Sequence, residues 1–355
     1  MERSDGIEAG RPDAEKPVVD EAEKTSEPQP YTIFTPIQRS LLLYACSISA
    51  VFSTVSSFIY FPAITAIARS LNVSIQAVNF TVTSYQIVSG IAPTIFANLA
   101  DEAVSVKLIN PFKGLKTLKE KANFIIILVG GITYTVFGCL ATSLSSKAIQ
   151  IYSLNYLTAG LAYLPSGLGG MLAALLTGKL LDYEYRLTAH KLNISAASTS
   201  VTDFPIEKAR LRSIFPMIAI SSIATIGYGW ILRAEAHLAI LLMLQFFSGA
   251  AQVFVFVTCG TLLTDLNPNK SSTVQASYNL IRCALSAGGI ASVDILMRAI
   301  GPGWAFTFYA LFGAICVPLL YILKKKGAKW RSRRIVTVQE VEKEKEKEKE
   351  KENKN

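Results

Sequence analysis

Histidine is scarce in this chain, and nothing gathers around it. The two histidines, His190 and His237, lie far from any cysteine or carboxylate cluster, so no spacing suits a metal site. The five cysteines, Cys46, Cys139, Cys259, Cys283 and Cys316, all fall inside apolar runs and read as small packing residues, not as disulfides or ligands. No GxSxG, P-loop or HExxH pattern occurs, so nothing argues for an ATP-driven pump or an intramembrane hydrolase, and no enzyme chemistry or cofactor is expected. Charge is thin as well. Only 17% of residues are charged against 51% hydrophobic, and the mean hydropathy is +0.36, which makes membrane the class to test first.

What the chain does have is long uncharged runs. They span Ser40 to Tyr60, Ala77 to Leu99, Asn123 to Leu144, Tyr152 to Leu181, Phe215 to Leu232, Leu238 to Leu263, Val274 to Met297 and Trp304 to Leu323. Each is about the 17 to 25 residues that a helix needs to cross the hydrocarbon core. In lipid a helix satisfies all of its own backbone groups, and the runs lack the period-two alternation of a barrel strand. The fold class is therefore an all-α membrane protein with about eight transmembrane helices.

Five segments follow: residues 1–37, 38–101 with two spans, 102–122, 123–323 with six spans, and 324–355. Residues 1–37 are acidic and proline-bearing with no apolar h-region, so they read as a disordered cytoplasmic stretch and not as a signal peptide. The net charge of +9 does not point to nucleic acid, because the cations crowd beside the spans. Lys107, Lys113, Lys116, Lys119 and Lys121 share one loop; Arg186, Lys191, Lys208, Arg210 and Arg212 share another. The opposite loops carry only Arg69, Lys147, Arg233 and Arg298, so the positive-inside rule puts both termini in the cytoplasm. KKKGAKWRSRR, Lys324 to Arg334, reads as a stop-transfer anchor with Trp330 at the interface, affinity for anionic lipid being a second reading. The closing VEKEKEKEKEKENKN is a solvated, low-complexity charge run.

Two phrases look like pieces of one motif. FANLAD, ending at Asp101, resembles the start of the transporter signature G-x-L-x-D-x-x-G-R-[RK], but no Gly-Arg follows. GKLLDYEYR matches it at Gly178, Leu180, Asp182 and Arg186. There the glycine would allow close helix approach, with the Asp just past a cytoplasmic helix end and the Arg free to pair with it, a cluster able to latch a gate.

Longer phrases carry a wider likeness. The stretches Phe58 to Asp101, Ile109 to Leu144, Tyr163 to Arg186 and Thr261 to Leu285 resemble the major facilitator superfamily. Within it they look like fungal drug:proton antiporters of the quinidine-resistance and multidrug type: spans one and two, the central loop with span seven, span eight, and the join of spans ten and eleven. The resemblance implies a complete C-terminal six-helix bundle plus two helices of the N-terminal bundle, spans three to six being absent. It implies proton-coupled efflux of drugs or secondary metabolites by alternating access, in the plasma membrane, with the proton gradient as the energy source. The implied partners are the lipid bilayer, a small-molecule substrate and protons. Self-association is open, since a second copy could complete the cavity. The alternative is a transport-inactive form, or an interaction partner of a full-length transporter. The two remaining N-terminal helices would leave polar faces, such as Asn79 and Gln86, without their usual neighbours.

Ionisable residues inside spans are candidate working groups by default. Arg282, about 12 Å into the seventh run, could hold an anionic substrate group or snorkel to the interface. Asp294 is the acid of the same run. Twelve residues separate the two, about 18 Å along a helix, which forbids pairing; proton exchange and an interfacial position are both open for Asp294. Asp265 in TDLNP reads as a turn residue or a gate residue. Gln245, Gln252, Asn279 and Ser286 are neutral groups that could line a cavity or bond between helices. Gly167, Gly169 and Gly170 read as a close-packing patch. Asn72, in Asn72-Val73-Ser74, is a glycosylation sequon on the non-cytoplasmic side.

Overall fold

A backbone that cannot reach water must bond to itself, and among the described residues helix covers most of each of the eight apolar runs. The computed structural model of the chain describes residues 34–58, 61–101, 117–192 and 204–352, with no strand among them. The expected features of residues 1–33, 102–116, 193–203 and 353–355 lie outside the described residues.

The chain divides into two units, Met1–Thr54 and Val55–Asn355. Most of helix α1, Pro36–Phe58, belongs to the first unit, and Ile37, Leu41, Tyr44, Ile48 and Phe52 form an exposed apolar stripe along it. The second unit holds the rest. Helix α2, Ile64–Ser70, leads through a turn at Asn72 into α3, Ile75–Asp101, and α4 runs over Lys121–Ser143. A π-helical turn, Leu144–Ala148, and the short α5, Ile149–Ile151, continue α4. Then come α6, Tyr156–Leu161; α7, Leu164–Lys191; α8, Ile206–Arg210; α9, Ile214–Ala234; α10, Leu238–Leu266; and α11, Ser271–Glu352.

An unbroken α11 of 82 residues would be about 120 Å long. It is not unbroken. Gly301 has φ 79°, a value only glycine adopts freely, and Pro302 opens a second helix with its preset φ. Residues 271–300 and 302–352 are therefore separate rods. Five stretches among the described residues are long and apolar enough to cross a bilayer: Lys121–Ser143, Leu157–Lys191, Ile206–Ala234, Leu238–Leu266 and Ser271–Arg334. The last contains the Gly301 break and so makes two passes. The chain is an integral, all-α membrane protein.

Tryptophans mark the boundaries. Trp230 and Trp304 pack edge to face, ring centres 5.6 Å apart, with the Arg233 guanidinium 5.2 Å from the Trp230 ring. Trp330 lies 26 residues beyond Trp304 on one rod, about 39 Å away, close to the thickness of a bilayer with its interfaces.

Packing is close, with α3 antiparallel and α4 parallel to residues 271–300. α3 and α4 both lie along residues 271–300, α7 lies along α10, and α9 packs on α10 and on the second rod of α11. Ile126, Ile127, Leu211, Ile214, Leu262, Leu263, Leu320 and Leu323 fill the core near the basic end. Tyr228, Leu241, Val293, Met297 and Phe306 fill it at the other. Phe61, Ile64, Val78, Val82 and Ile290 fasten α2 and α3 to the first rod of α11. The polar face of α3 is thus not left without neighbours: Asn79 and Gln86 are buried because residues 271–300 take that position. A second difference concerns α7, which runs on to Lys191, so Asp182 and Arg186 sit inside the helix and not past its end.

Gly169 and Gly249 let α7 and α10 meet backbone to backbone. A Cβ at Gly169 would stand 2.3 Å from the Phe246 carbonyl oxygen, and one at Gly249 would stand 2.5 Å from that of Ser166. Gly167, by contrast, faces open space. Gly169→Val is expected to destabilise the fold by about 1 to 3 kcal/mol while Gly167→Val has little effect; thermal unfolding of the two detergent-purified variants checks this.

Candidate functional site

The polar residues of α3 and α11 meet in one seam. Asn79 Nδ2 donates to Asp294 Oδ2 at 2.9 Å, and Ser146 Oγ donates to Asp294 Oδ1 at 3.4 Å. Asp294 is 4% exposed. Three elements converge there because α3 runs antiparallel to residues 271–300 and the π-helical turn swings Ser146 in from the end of α4. Further along the same pair of helices, Asn279 Nδ2 donates to the Ser89 carbonyl at 2.9 Å, and Gly90 lets α3 approach Cys283.

Arg282 stands one turn from Asn279 and gives its Oδ1 two bonds, from Nε at 2.9 Å and from Nη2 at 2.6 Å. Its guanidinium also lies 4.6 Å from the Tyr134 ring centre and 4.9 Å from that of Phe256. Among the described residues no carboxylate comes within ion-pair distance of it. An amide and two aromatic faces hold this cation, contacts worth up to about 2 kcal/mol when desolvated, and its positive charge is left without an anion. Arg282 and Asp294 do not pair.

Gln245 and Gln252 are buried on α10, as is Ser286 on α11. Gln252 Nε2 donates to Ser248 Oγ at 2.6 Å. Gln245 Nε2, Gln252 Oε1 and Ser286 Oγ have no protein partner, an arrangement that costs about 1 to 3 kcal/mol per group unless water or a ligand supplies one. A cavity lined by Thr133, Ser221, Ser222 and Thr225 among others measures about 20 Å³, room for about one water.

A second polar layer closes the basic end. Arg210 Nε donates to Asp265 Oδ2 at 3.0 Å, and its Nη1 lies 3.9 Å from Asp182 Oδ1. The arginine of this cluster is therefore Arg210 and not Arg186, which makes no ion pair with a described residue. The reason lies in the length of α7: Asp182 is 70% exposed on the helix surface, while α8 carries Arg210 between it and the end of α10. Gly178 meets nothing within 4 Å, so it permits no close approach. Asp101 ends α3, and its side-chain surroundings lie outside the described residues. Asn72 sits exposed in the turn after α2, at φ 53°, its N–H on the Arg69 carbonyl.

Several charged groups of this layer look like surface charge in the sequence. Glu184 is buried and accepts from Ser213 Oγ. Glu207 is 1% exposed and lies 3.6 Å from Arg331 Nη2, which also donates to the Phe204 carbonyl at 2.6 Å. Arg334 Nη1 lies 2.5 Å from Glu120 Oε2 and 3.0 Å from Asn267 Oδ1, while Asn267 and Asn123 exchange side-chain bonds. Arg331 and Arg334 therefore do more than anchor the last span: they tie it to the loops. Burial pushes the Glu120 carboxyl up from its ordinary range, against the pull of Arg334 and Lys270. The signal for Glu207 was its place between Ile206 and Ala209, two residues of a buried helix face.

Arg331→Met should destabilise the protein by about 3 to 5 kcal/mol, since it strands the Glu207 carboxylate, and Glu207→Gln with Arg331→Met should recover part of that. Glu120→Gln, at a half-exposed pair, should cost no more than about 1 kcal/mol. Denaturation of the four proteins gives the comparison.

No protein-family model matches the chain. It is 36% identical over 231 residues to citrate exporter 1 of Aspergillus niger, covering 63% of this chain and 44% of the relative. It is 31% identical over 238 residues to the MFS-type transporter clz19 of Cochliobolus lunatus, 66% of this chain and 45% of the relative. It is 28% identical over 234 residues to the MFS-type transporter tstD of Talaromyces stipitatus, 65% and 42%. The chain spans less than half the length of these curated relatives. Their names are those of transporters, not of enzymes.

Proposed function

We propose that the chain is a secondary active transporter of the major facilitator superfamily that exports small organic molecules, driven by exchange for protons. The observation that carries this reading is the α3–α11 seam, where Asp294 is buried on Asn79 and Arg282 is held without an anion. The likeness to proteins named as exporters supports it. Asp294 is the proton-exchanging group. A charge-assisted bond from Asn79 to its carboxylate is about twice as strong as a neutral one, so protonation loosens α3 from α11 and departure of the proton tightens them. Alternating access then follows from that opening and closing, with the Arg210–Asp265–Asp182 cluster as the gate at the basic end.

Within this reading the basic end, with both termini, faces the cytoplasm, and the membrane is the plasma membrane. The likeness to the drug:proton antiporter group, and the join after Asp101 where spans three to six of twelve would stand, belong to the same proposal. Arg282 faces the charged part of the substrate, which fits organic anions, the class named in the citrate exporter.

Flux in proteoliposomes tests it. Asp294→Asn should abolish acidification-driven export while leaving the protein folded, and Arg282→Ala should reduce export of a carboxylate at least about tenfold, a loss of about 1.4 kcal/mol. Wild-type protein that moves neither protons nor any of a panel of organic anions and drugs would overturn the proposal.

A further inference from the structure

A cleft of about 330 Å³ opens at the basic end, between the start of α4 and the stretch of α11 that follows its last span. That volume is at the lower end for a small-ligand site. Its lining is of two kinds: the cations Lys119 and Lys121, and the apolar Leu118, Phe124, Ile125 and Trp330. Both lysines are exposed and make no ion pair with a described residue. The carboxylate between them in sequence, Glu120, is engaged by Arg334 at 2.5 Å, so it does not neutralise them. Phe124 is 49% exposed at the point where the apolar run of α4 begins, which turns the apolar wall towards lipid. Trp330 packs on the core cluster behind it and marks the boundary depth.

We propose that this cleft binds the phosphate-bearing headgroup of an anionic phospholipid, Lys119 and Lys121 taking the phosphodiester and Phe124 and Trp330 flanking the start of an acyl chain. Two compact ammonium groups suit a phosphate as point charges, and a pocket lined by both cations and aromatics fits an amphipathic anion better than a soluble one. This claim is independent of what the protein transports.

The test uses the full chain in vesicles, with Trp230→Phe and Trp304→Phe so that emission comes from Trp330. Brominated phosphatidylserine should quench Trp330 at a mole fraction several-fold lower than brominated phosphatidylcholine. Lys119→Gln with Lys121→Gln should erase that preference, a loss of roughly tenfold. Lys326→Gln with Lys329→Gln, on the same rod but outside the cleft, should leave it in place. Equal quenching by the two lipids overturns the proposal, as does a preference lost equally in both lysine pairs, which would mean diffuse attraction. Relief of quenching by inorganic phosphate would assign the site to a soluble anion and overturn the lipid. If the double tryptophan variant does not fold, the serine-lipid component of total quenching must vanish in Trp330→Phe alone.

Discussion

A carboxylate buried in a bilayer has to find its donors inside the protein, and much of this structure follows from how Asp294 does so. Asn79 reaches it from α3 and Ser146 from the π-helical turn after α4. Those two contacts fix which face α3 presents and where α4 ends. Once α3 lies antiparallel on residues 271–300, Gly90 must meet Cys283, and Asn279 is in place to bond the Ser89 carbonyl and orient Arg282.

The basic end obeys the same rule with different partners. Glu184 and Glu207 are at least as buried as Asp294, and they use Ser213 and Arg331. Breaking a buried pair leaves a bare charge, so these contacts hold α8, α9 and the last rod of α11 in one register even where the pair adds little net stability. Arg210 bridges the ends of α7 and α10 in the same layer.

Hydrophobic runs made the helices legible, because lipid leaves the backbone no alternative. Arg282 and Asp294 also stood out, since a charge in an apolar run is costly. Their partners did not, because Asn79 lies 215 residues from Asp294 and no local pattern links them. Arg186 looked like the arginine of the gate on the assumption that α7 ends with its apolar run. YEYRLTAHK has no Gly or Pro to stop a helix, so the helix continues, and it is Arg210 that meets Asp182 and Asp265. Arg331 and Arg334 resembled anchor charges because positive-inside arginines and paired ones have the same composition; only their contacts, with Glu207 and Glu120, separate them.

The central claim is that α3 and residues 271–300 lie antiparallel in direct contact within the membrane. It is tested most directly by a disulfide between Gly90→Cys and the native Cys283. A Cβ built on Gly90 comes 2.9 Å from the Cys283 Cβ, and a small outward shift reaches the roughly 3.5 to 4.5 Å that a disulfide needs. Mild oxidation in native membranes, followed by peptide mass spectrometry, should yield a linked α3–α11 peptide from Gly90→Cys and none from Phe80→Cys, which lies exposed on the same helix. A Gly90→Cys protein that stays reduced, or that links elsewhere, would contradict the seam and everything built on it.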